Sequence, residues 1–270
     1  MQAVIMAGGK GTRLAAITKD EIPKPMVPVN GKPLLLWQME ELKKNGITDI
    51  IMIIGHLGEK IEEYFQNGEK YGVHVSYIRE HEPLGTAGAF YYLKDKIVSN
   101  YFLLVFGDVF FSIDIQRMEK FYIDHQAKAA LFVHPNSHPA DSDLVVLDEN
   151  NKIFKFDSKH NVRNYWFDNC VNAGFYILGK EICDLVEKPC KLDLEKDILM
   201  PLVEKEDAVY GYRSPEYVKD IGTVDRIRQT EKDVENGLIE EKCLKNKQPC
   251  IFMDRDGTIN QYKGLVCKED

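Results

Sequence analysis

The stretch AVIMAGGKGTRL sets Gly8, Gly9 and Gly11 beside Lys10, Thr12 and Arg13, directly after an apolar run. Glycine lets backbone N–H groups approach an anion closely and turn inward around it, while the cations offset its charge. The chemistry this pattern could serve is the holding of a phosphate chain. A dinucleotide fingerprint begun at Gly9 would need glycine where Leu14 stands, and a Walker A loop would need Ser or Thr where Gly11 follows Gly9-Lys10. A glycine-rich stretch can also be a tight turn and nothing more. Lys24 sits between Pro23 and Pro25 in EIPKPMVPVNGKP, so two rings of fixed φ hold it in a stiff, extended segment. Such a lysine is poorly explained as a solvated surface charge. Asp108 follows the apolar run YFLLVF and Gly107, where a metal-binding carboxylate would stand at the end of a strand; a Gly-Asp pair is also a common turn or cap.

These groups need elements to position them. Strand-length apolar runs alternate with amphipathic segments: AVIM, a helix over about 34–45 ended by Gly46, IIMII, a helix near 59–66, HVSYI, a helix near 86–94, then YFLLVF. That alternation predicts an α/β fold with a mostly parallel sheet covered by helices on both faces. Ligands bind such sheets beyond the carboxyl ends of the strands, which points to residues 7–13 and to Gly107 and Asp108. From 129 to 156 the runs AALFV, DLVVLD and KIFKF, with an Asn150-Asn151 turn, read as antiparallel ribbon, so the sheet is expected to be mixed. AGFYIL adds a strand, EKDILMPLV a helix, AVYGYR and EYVKDI two short extended pieces, and 223–236 a long helix capped by Gly237. Residues 237–248 are polar enough for a linker, and PCIFMD reads as a fresh strand after it.

Composition excludes several classes. A formal net charge of −8 argues against a general nucleic-acid binder, which needs clustered Lys and Arg to release counterions. No apolar run approaches the roughly 20 residues that span a bilayer. Met1 leads straight into the first strand without a leader pattern, so a cytoplasmic protein is expected. The six cysteines form no Cys-x-x-Cys pair and no zinc-ligand spacing, and reduced thiols are expected.

AGGKGTRL followed by PKPMVPVNGKPLL resembles the opening of the sugar-1-phosphate nucleotidyltransferases, and EPLGTAGA, FGDVFF, VNAGFYIL and KDIGT follow in that family's order across residues 1–236. The resemblance implies a Rossmann-like nucleotidyltransferase fold and attack by a sugar-phosphate oxygen on the α-phosphorus of a nucleoside triphosphate. It assigns the backbone of Ala7, Gly8, Gly9, Gly11 and Thr12 and the side chains of Arg13 and Lys24 to the triphosphate. Gly85 and Thr86 go to the base or ribose, and Asn172 and Gly174 to the sugar. Asp108 and Asp220 are the implied ligands of Mg2+, which keeps several waters and needs few carboxylates. Where the family has Phe-x-Glu-Lys, this chain has Phe156-Asp157-Ser158-Lys159, so Lys159 remains for the sugar phosphate and the glutamate is gone.

The wording is most similar to the D-glycero-α-D-manno-heptose 1-phosphate guanylyltransferases, which implies GTP and heptose 1-phosphate as partners. Other readings are mannose 1-phosphate with GTP, N-acetylmuramate 1-phosphate with UTP, or a non-catalytic nucleotide-binding protein. The intact Arg13, Lys24, Asp108 and Asp220 count against the last of these. Residues 249–270, with DRDGTIN, resemble the first motif of haloacid-dehalogenase-type phosphatases acting on heptose bisphosphate or histidinol phosphate. Asp254 would be the nucleophile and Asp256 the acid and base. The chain stops at Asp270, leaving no room for the other catalytic motifs, so this segment is expected to be inactive here and to belong to a longer two-enzyme parent.

Overall fold

The computed structural model describes residues 1–9, 14, 18, 19, 21–137, 139–247, 249–255, 258 and 259. β1 (Gln2–Ala7) leads to the hairpin of β2 (Pro28–Val29) and β3 (Lys32–Pro33), then to α1 (Leu34–Lys44). β4 (Asp49–Ile54), α2 (Gly58–Phe65), β5 (His74–Arg79), the short α3 (Phe90–Leu93), β6 (Tyr101–Phe106) and β7 (Val109–Ser112) follow. Next come α4 (Ile115–Asp124), β8 (Ala129–His134), β9 (Leu144–Leu147), β10 (Ile153–Asp157) and β11 (Val171–Gly179). The series ends with α5 (Met200–Glu204), β12 (Val209–Arg213), β13 (Tyr217–Asp220), α6 (Val224–Glu235) and α7 (Leu238–Lys242).

Seven strands form one sheet in the order β12-β8-β11-β6-β1-β4-β5. β4 and β6 run parallel to β1, β5 to β4 and β12 to β8, while β11 is antiparallel to β6 and β8. This is the mixed, mostly parallel α/β sheet that the alternating runs predict. AALFV joins that sheet as β8 and is buried on both faces, as an unbroken apolar strand should be. The separate ribbon is the β9–β10 pair.

Alternation along β1 splits the core between two layers. Ala3, Ile5 and Ala7 pack with Leu35, Met39 and Ile61 from α1 and α2, and Val4 packs on the other side with Phe90, Leu93 and Leu199. A third cluster joins Leu14, Val29, Leu34, Phe110, Tyr217 and Ile227, seating the β2–β3 hairpin and β13 against α6. Each fully buried ring, such as Phe90, would cost about 3–5 kcal/mol to truncate.

Four further expectations about these elements change. The helix near 86–94 shrinks to Phe90–Leu93, because residues 84–87 spend their backbone bonds on Leu192. EKDILMPLV is a π-helical turn, Leu194–Leu199, running into α5. Of the proposed linker at 237–248, the part over 238–244 is packed onto the domain, since α7 buries Ile239, the following Cys243 is buried and Leu244 N–H donates to Glu216. PCIFMD forms no strand: it has no ladder partner among the described residues, and Phe252 is 95% exposed.

Candidate active site

Three parallel strands, β1, β4 and β6, each end on a glycine: Gly8, Gly55 and Gly107. A Cβ on Gly55 would lie 2.9 Å from Gly8 O, and one on Gly107 would lie 2.8 Å from Met6 O. Without side chains the three turns abut, and a cleft of about 320 Å³ opens past the strand ends, lined by Gly8, Gly9, Lys24, Glu80, Thr86 and Asp108 among others. A hollow of about 270 Å³ adjoins it through Gly8, Glu80 and Pro83. Ala7, expected at the nucleotide, is 1% exposed and belongs to the core, so the cleft takes its glycine wall from Gly8 and Gly9. Gly11, Thr12 and Arg13 lie outside the described residues.

The proline-flanked segment is not extended at Lys24. It turns there as a 3-10 unit, Lys24–Met26, entered from an extended Pro23, with Val27 N–H closing on Lys24 O at 3.1 Å. The turn brings Lys24 Nζ onto Asp108 Oδ2 as an ion pair with both side chains partly buried. Gln38 of α1, buried in the core, donates to Phe106 O at 2.9 Å and Val109 O at 2.6 Å, pinning the Gly107-Asp108 turn on both sides. β13 pairs antiparallel with β7: Asp220 faces Val109, and Ile221 N–H donates to Asp108 O at 2.9 Å. Asp108 and Asp220 therefore sit on adjacent rungs of one ladder.

Asp220 Oδ1 accepts from Gly222 N–H at 2.6 Å and Oδ2 from Arg226 at 2.5 Å. Each aspartate thus already faces a cation. Among the described residues, no three His, Cys, Asp or Glu side chains are placed to hold a metal together. Asp108 lines the cleft and Asp220 does not, and the fit rests on donor chemistry: two hard carboxylate donors suit an ion that takes its remaining ligands from water and phosphate.

Gly85 and Thr86 line the cleft from the opposite wall. Gly85 has φ +75°, and its Cβ would fall 2.3 Å from Leu192 O. Thr86 and Ala87 N–H groups donate to Leu192 O at 2.9 and 3.1 Å, and Thr86 Oγ1 accepts from Leu194 N–H at 2.7 Å. Thr86 keeps its own hydroxyl proton to donate into the cleft.

Asn172 and Gly174 lie where the β11–β8 register shifts, between Asn172 and Tyr176. Gly174 adopts φ +71°, and a Cβ there would meet the Phe106 ring at 2.9 Å. Neither Asn172 nor Gly174 lines the cleft itself; they adjoin it through Phe106, which lines the cleft and packs on Tyr176 at 5.6 Å.

Lys159 is exposed and does not line the cleft; its N–H donates to Asp143 at 2.9 Å. Its loop is folded around Asp157, which is 1% exposed and accepts from Asn161 at 2.8 Å, Arg163 at 2.8 Å and Tyr165 at 2.5 Å. Burial alone would raise the Asp157 pKa, but these donors and Lys155 hold it well below the usual carboxylate range. Arg163 also donates to Pro139 O and Ser142 O, tying the neighbouring loop down.

Asp157→Asn should therefore lower Tm by on the order of 10 °C at neutral pH, because it leaves the buried Arg163 uncompensated. The depressed pKa makes this stabilisation complete above about pH 5 and lost as pH falls below the ordinary carboxylate value of about 3.9. Thermal melts of both proteins should converge as the buffer is acidified; an unchanged gap would contradict the pairing.

Sequence reasoning missed Glu80. Its side chain lines both the cleft and the adjoining hollow, with Oε2 2.7 Å from where a Gly8 Cβ would be. Oε1 is buried with no hydrogen-bond partner among the described residues. Burial raises its pKa against a backbone hydrogen bond from Leu84. The available signal was a carboxylate one residue past the HVSYI run, immediately after β5 at the ligand-binding end. Asp254 of the second motif is exposed, and Asp256 lies outside the described residues.

Residues 2–237 match the family described as nucleotidyl transferase. The chain is 32% identical over 239 residues to the D-glycero-alpha-D-manno-heptose 1-phosphate guanylyltransferase of Aneurinibacillus thermoaerophilus, covering 87% of this chain and 99% of that one. It is 38% identical over 184 residues to the Campylobacter jejuni protein of the same name, covering 67% and 77%. The crystal structure of HddC from Yersinia pseudotuberculosis superposes with a TM-score of 0.73 at 26% identity, over 86% of this chain and 99% of that one. With the strand-end cleft, its two walls and this match in hand, the chain belongs to the nucleotidyl transferase family, whose members here are enzymes that transfer a nucleotidyl group to a sugar 1-phosphate.

Proposed function

We propose that the enzyme joins GTP and D-glycero-α-D-manno-heptose 1-phosphate to give GDP-heptose and pyrophosphate. A phosphate oxygen of the sugar forms a bond to the α-phosphorus, and the bond from that phosphorus to the β-phosphate oxygen breaks. The observation that carries guanine is Glu80. Its carboxylate lines the cleft, and guanine offers adjacent N1–H and N2–H donors to such a group. Uracil and thymine offer one N–H between two carbonyls, which a carboxylate would repel. The heptose rests on the two guanylyltransferase relatives named for it.

In this reading Gly8, Gly9, Gly11 and Thr12 cradle the triphosphate by their backbone, with Arg13 and Lys24 neutralising its charge. Gly85 and Thr86 hold the nucleoside, Asn172 and Gly174 shape the sugar wall, and Lys159 meets the sugar phosphate. Magnesium, held by Asp108 and Asp220, would supply charge neutralisation at the reacting phosphates. No described helix is long and apolar enough to cross a membrane, and the reading sets the enzyme in the cytoplasm, with its nucleotide. Residues 254–256 are proposed as the start of a phosphatase motif that would supply heptose 1-phosphate from the bisphosphate.

Pyrophosphate release over GTP, UTP and dTTP, each with heptose 1-phosphate and mannose 1-phosphate, tests the substrates. Glu80→Gln should lower kcat/KM for GTP by about 30-fold, the loss of a charge-assisted bond of about 2 kcal/mol, with UTP and dTTP little changed. An unchanged base preference in the variant would remove Glu80 from the reading.

A further inference from the structure

We infer that Glu195 is a specificity-determining residue that accepts hydrogen bonds from sugar hydroxyls, setting the hydroxyl-bearing edge of the substrate away from Lys24. The inference rests on the sugar-phosphate reading above but not on the identity of the sugar. Asn172 does not have its amide protons to give: Nδ2 donates to Glu195 Oε1 at 2.6 Å and to Tyr176 OH at 2.7 Å. The acceptor capacity on this wall belongs to Glu195, whose carboxylate takes Asn172 as its hydrogen-bond donor among the described residues and can accept about three more bonds.

Its backbone is fixed. Asp193 Oδ1 accepts from the N–H groups of Glu195 and Lys196 at 3.1 and 3.0 Å, capping the π-helical turn. The preceding Leu194 N–H is bonded to Thr86, a cleft residue, and Tyr176 packs on Phe106, another. π-helical turns are uncommon and often mark functional sites.

The electrostatics give the direction. Burial is the main cause raising the Glu195 pKa, opposed by the hydrogen bond from Asn172; the charges of Asp193 and Asp143 add to the rise and that of Lys196 offsets part of it. A half-buried carboxylate with one donor, with two aspartates and one lysine acting on it, repels a phosphate and favours hydroxyl donors. Lys24, at the glycine end, does the opposite. A sugar phosphate therefore enters with its hydroxyls toward Glu195 and its phosphate turned away from that carboxylate, toward the glycine end of the cleft where the α-phosphorus would lie. Desolvated hydroxyl partners of this kind discriminate strongly between substrates, because the analogue lacking the hydroxyl leaves the protein group unpaired.

The test uses Glu195→Gln in the full chain, with whichever of heptose 1-phosphate or mannose 1-phosphate and whichever nucleotide the wild type converts fastest. Glutamine keeps the volume and can still accept from Asn172. KM for the sugar phosphate should rise by about 10-fold or more, KM for the nucleotide should stay within twofold, and Tm should hold. Singly deoxygenated analogues of the same sugar phosphate complete the test. The analogue that loses most against wild type should lose little further in the variant, while the others keep their wild-type penalties. Equal penalties for every analogue in both enzymes, or a nucleotide KM that rises as much as the sugar KM, would overturn the inference. A mistaken guanine or heptose reading would instead show in the wild type's own substrate choice.

Discussion

Asp108→Asn should slow nucleotidyl transfer by about 100-fold or more, and Asp220→Asn by as much, each a loss of about 2.7 kcal/mol of transition-state stabilisation. Two polyanions must meet for this reaction, so most of the catalysis is charge and position. Asparagine leaves the positions intact. The bond from Ile221 N–H to Asp108 O is made by backbone, and an amide oxygen at 220 can still accept from Gly222 N–H. What disappears is the negative charge that would hold magnesium. In Asp108→Asn, Lys24 also loses its ion-pair partner, which strengthens its attraction to phosphate and separates the two effects. Nucleotide KM should fall or hold while the magnesium requirement rises. Pyrophosphate release measured against magnesium concentration decides the matter, and rates within threefold of wild type for both variants would refute the metal assignment.

The parts of this site that sequence makes legible are those fixed by local physics. A glycine after an apolar run announces a strand end whatever the strand pairs with, so Gly8 and the Gly107-Asp108 turn could be placed from neighbours alone. The parallel sheet followed from alternating runs for the same reason. Residues whose work depends on distant partners were not legible. Gln38 reads as a polar residue in an amphipathic helix until Phe106 and Val109 carbonyls, some 70 positions away, take its amide. Glu80 and Glu195 were surface charges until burial left their carboxylates short of donors. The helix expected at 86–94 failed because propensity cannot see Leu192, which captures the backbone of Thr86 and Ala87 before a helix can. Residues 237–248 looked like linker by composition, yet Ile239 joins the cluster containing Phe110 and Ile227, Cys243 is buried and Leu244 N–H is bonded to Glu216, with Phe110 and Glu216 far away in sequence.

The same long-range pairing makes Gly85 the most sensitive position outside the charged residues. Gly85→Ala should lower kcat/KM by about 1,000-fold, about 4 kcal/mol, with the KM values for nucleotide and sugar phosphate rising together. Two costs combine. Alanine at φ +75° is strained by roughly 1–2 kcal/mol, and its Cβ would stand 2.3 Å from Leu192 O, a backbone atom that cannot rotate away. The segments around 85 and 192 must therefore part. That breaks the bonds from Thr86 and Ala87 N–H to Leu192 O, from Leu192 N–H to Leu84 O and from Leu194 N–H to Thr86 Oγ1. Those four bonds hold Thr86 and the turn with Glu195, which the proposed function and the inference above assign to the nucleoside and the sugar, so a single methyl should disturb both substrates. Gly31→Ala is the control. It has φ +73° but open space where the Cβ would go, so it carries the strain without the collision and should cost about 1 kcal/mol of stability with no kinetic change. Steady-state kinetics and thermal melts of the two variants side by side separate the causes. If Gly85→Ala loses no more activity than Gly31→Ala, the contact with Leu192 is not what aligns the two walls of the cleft.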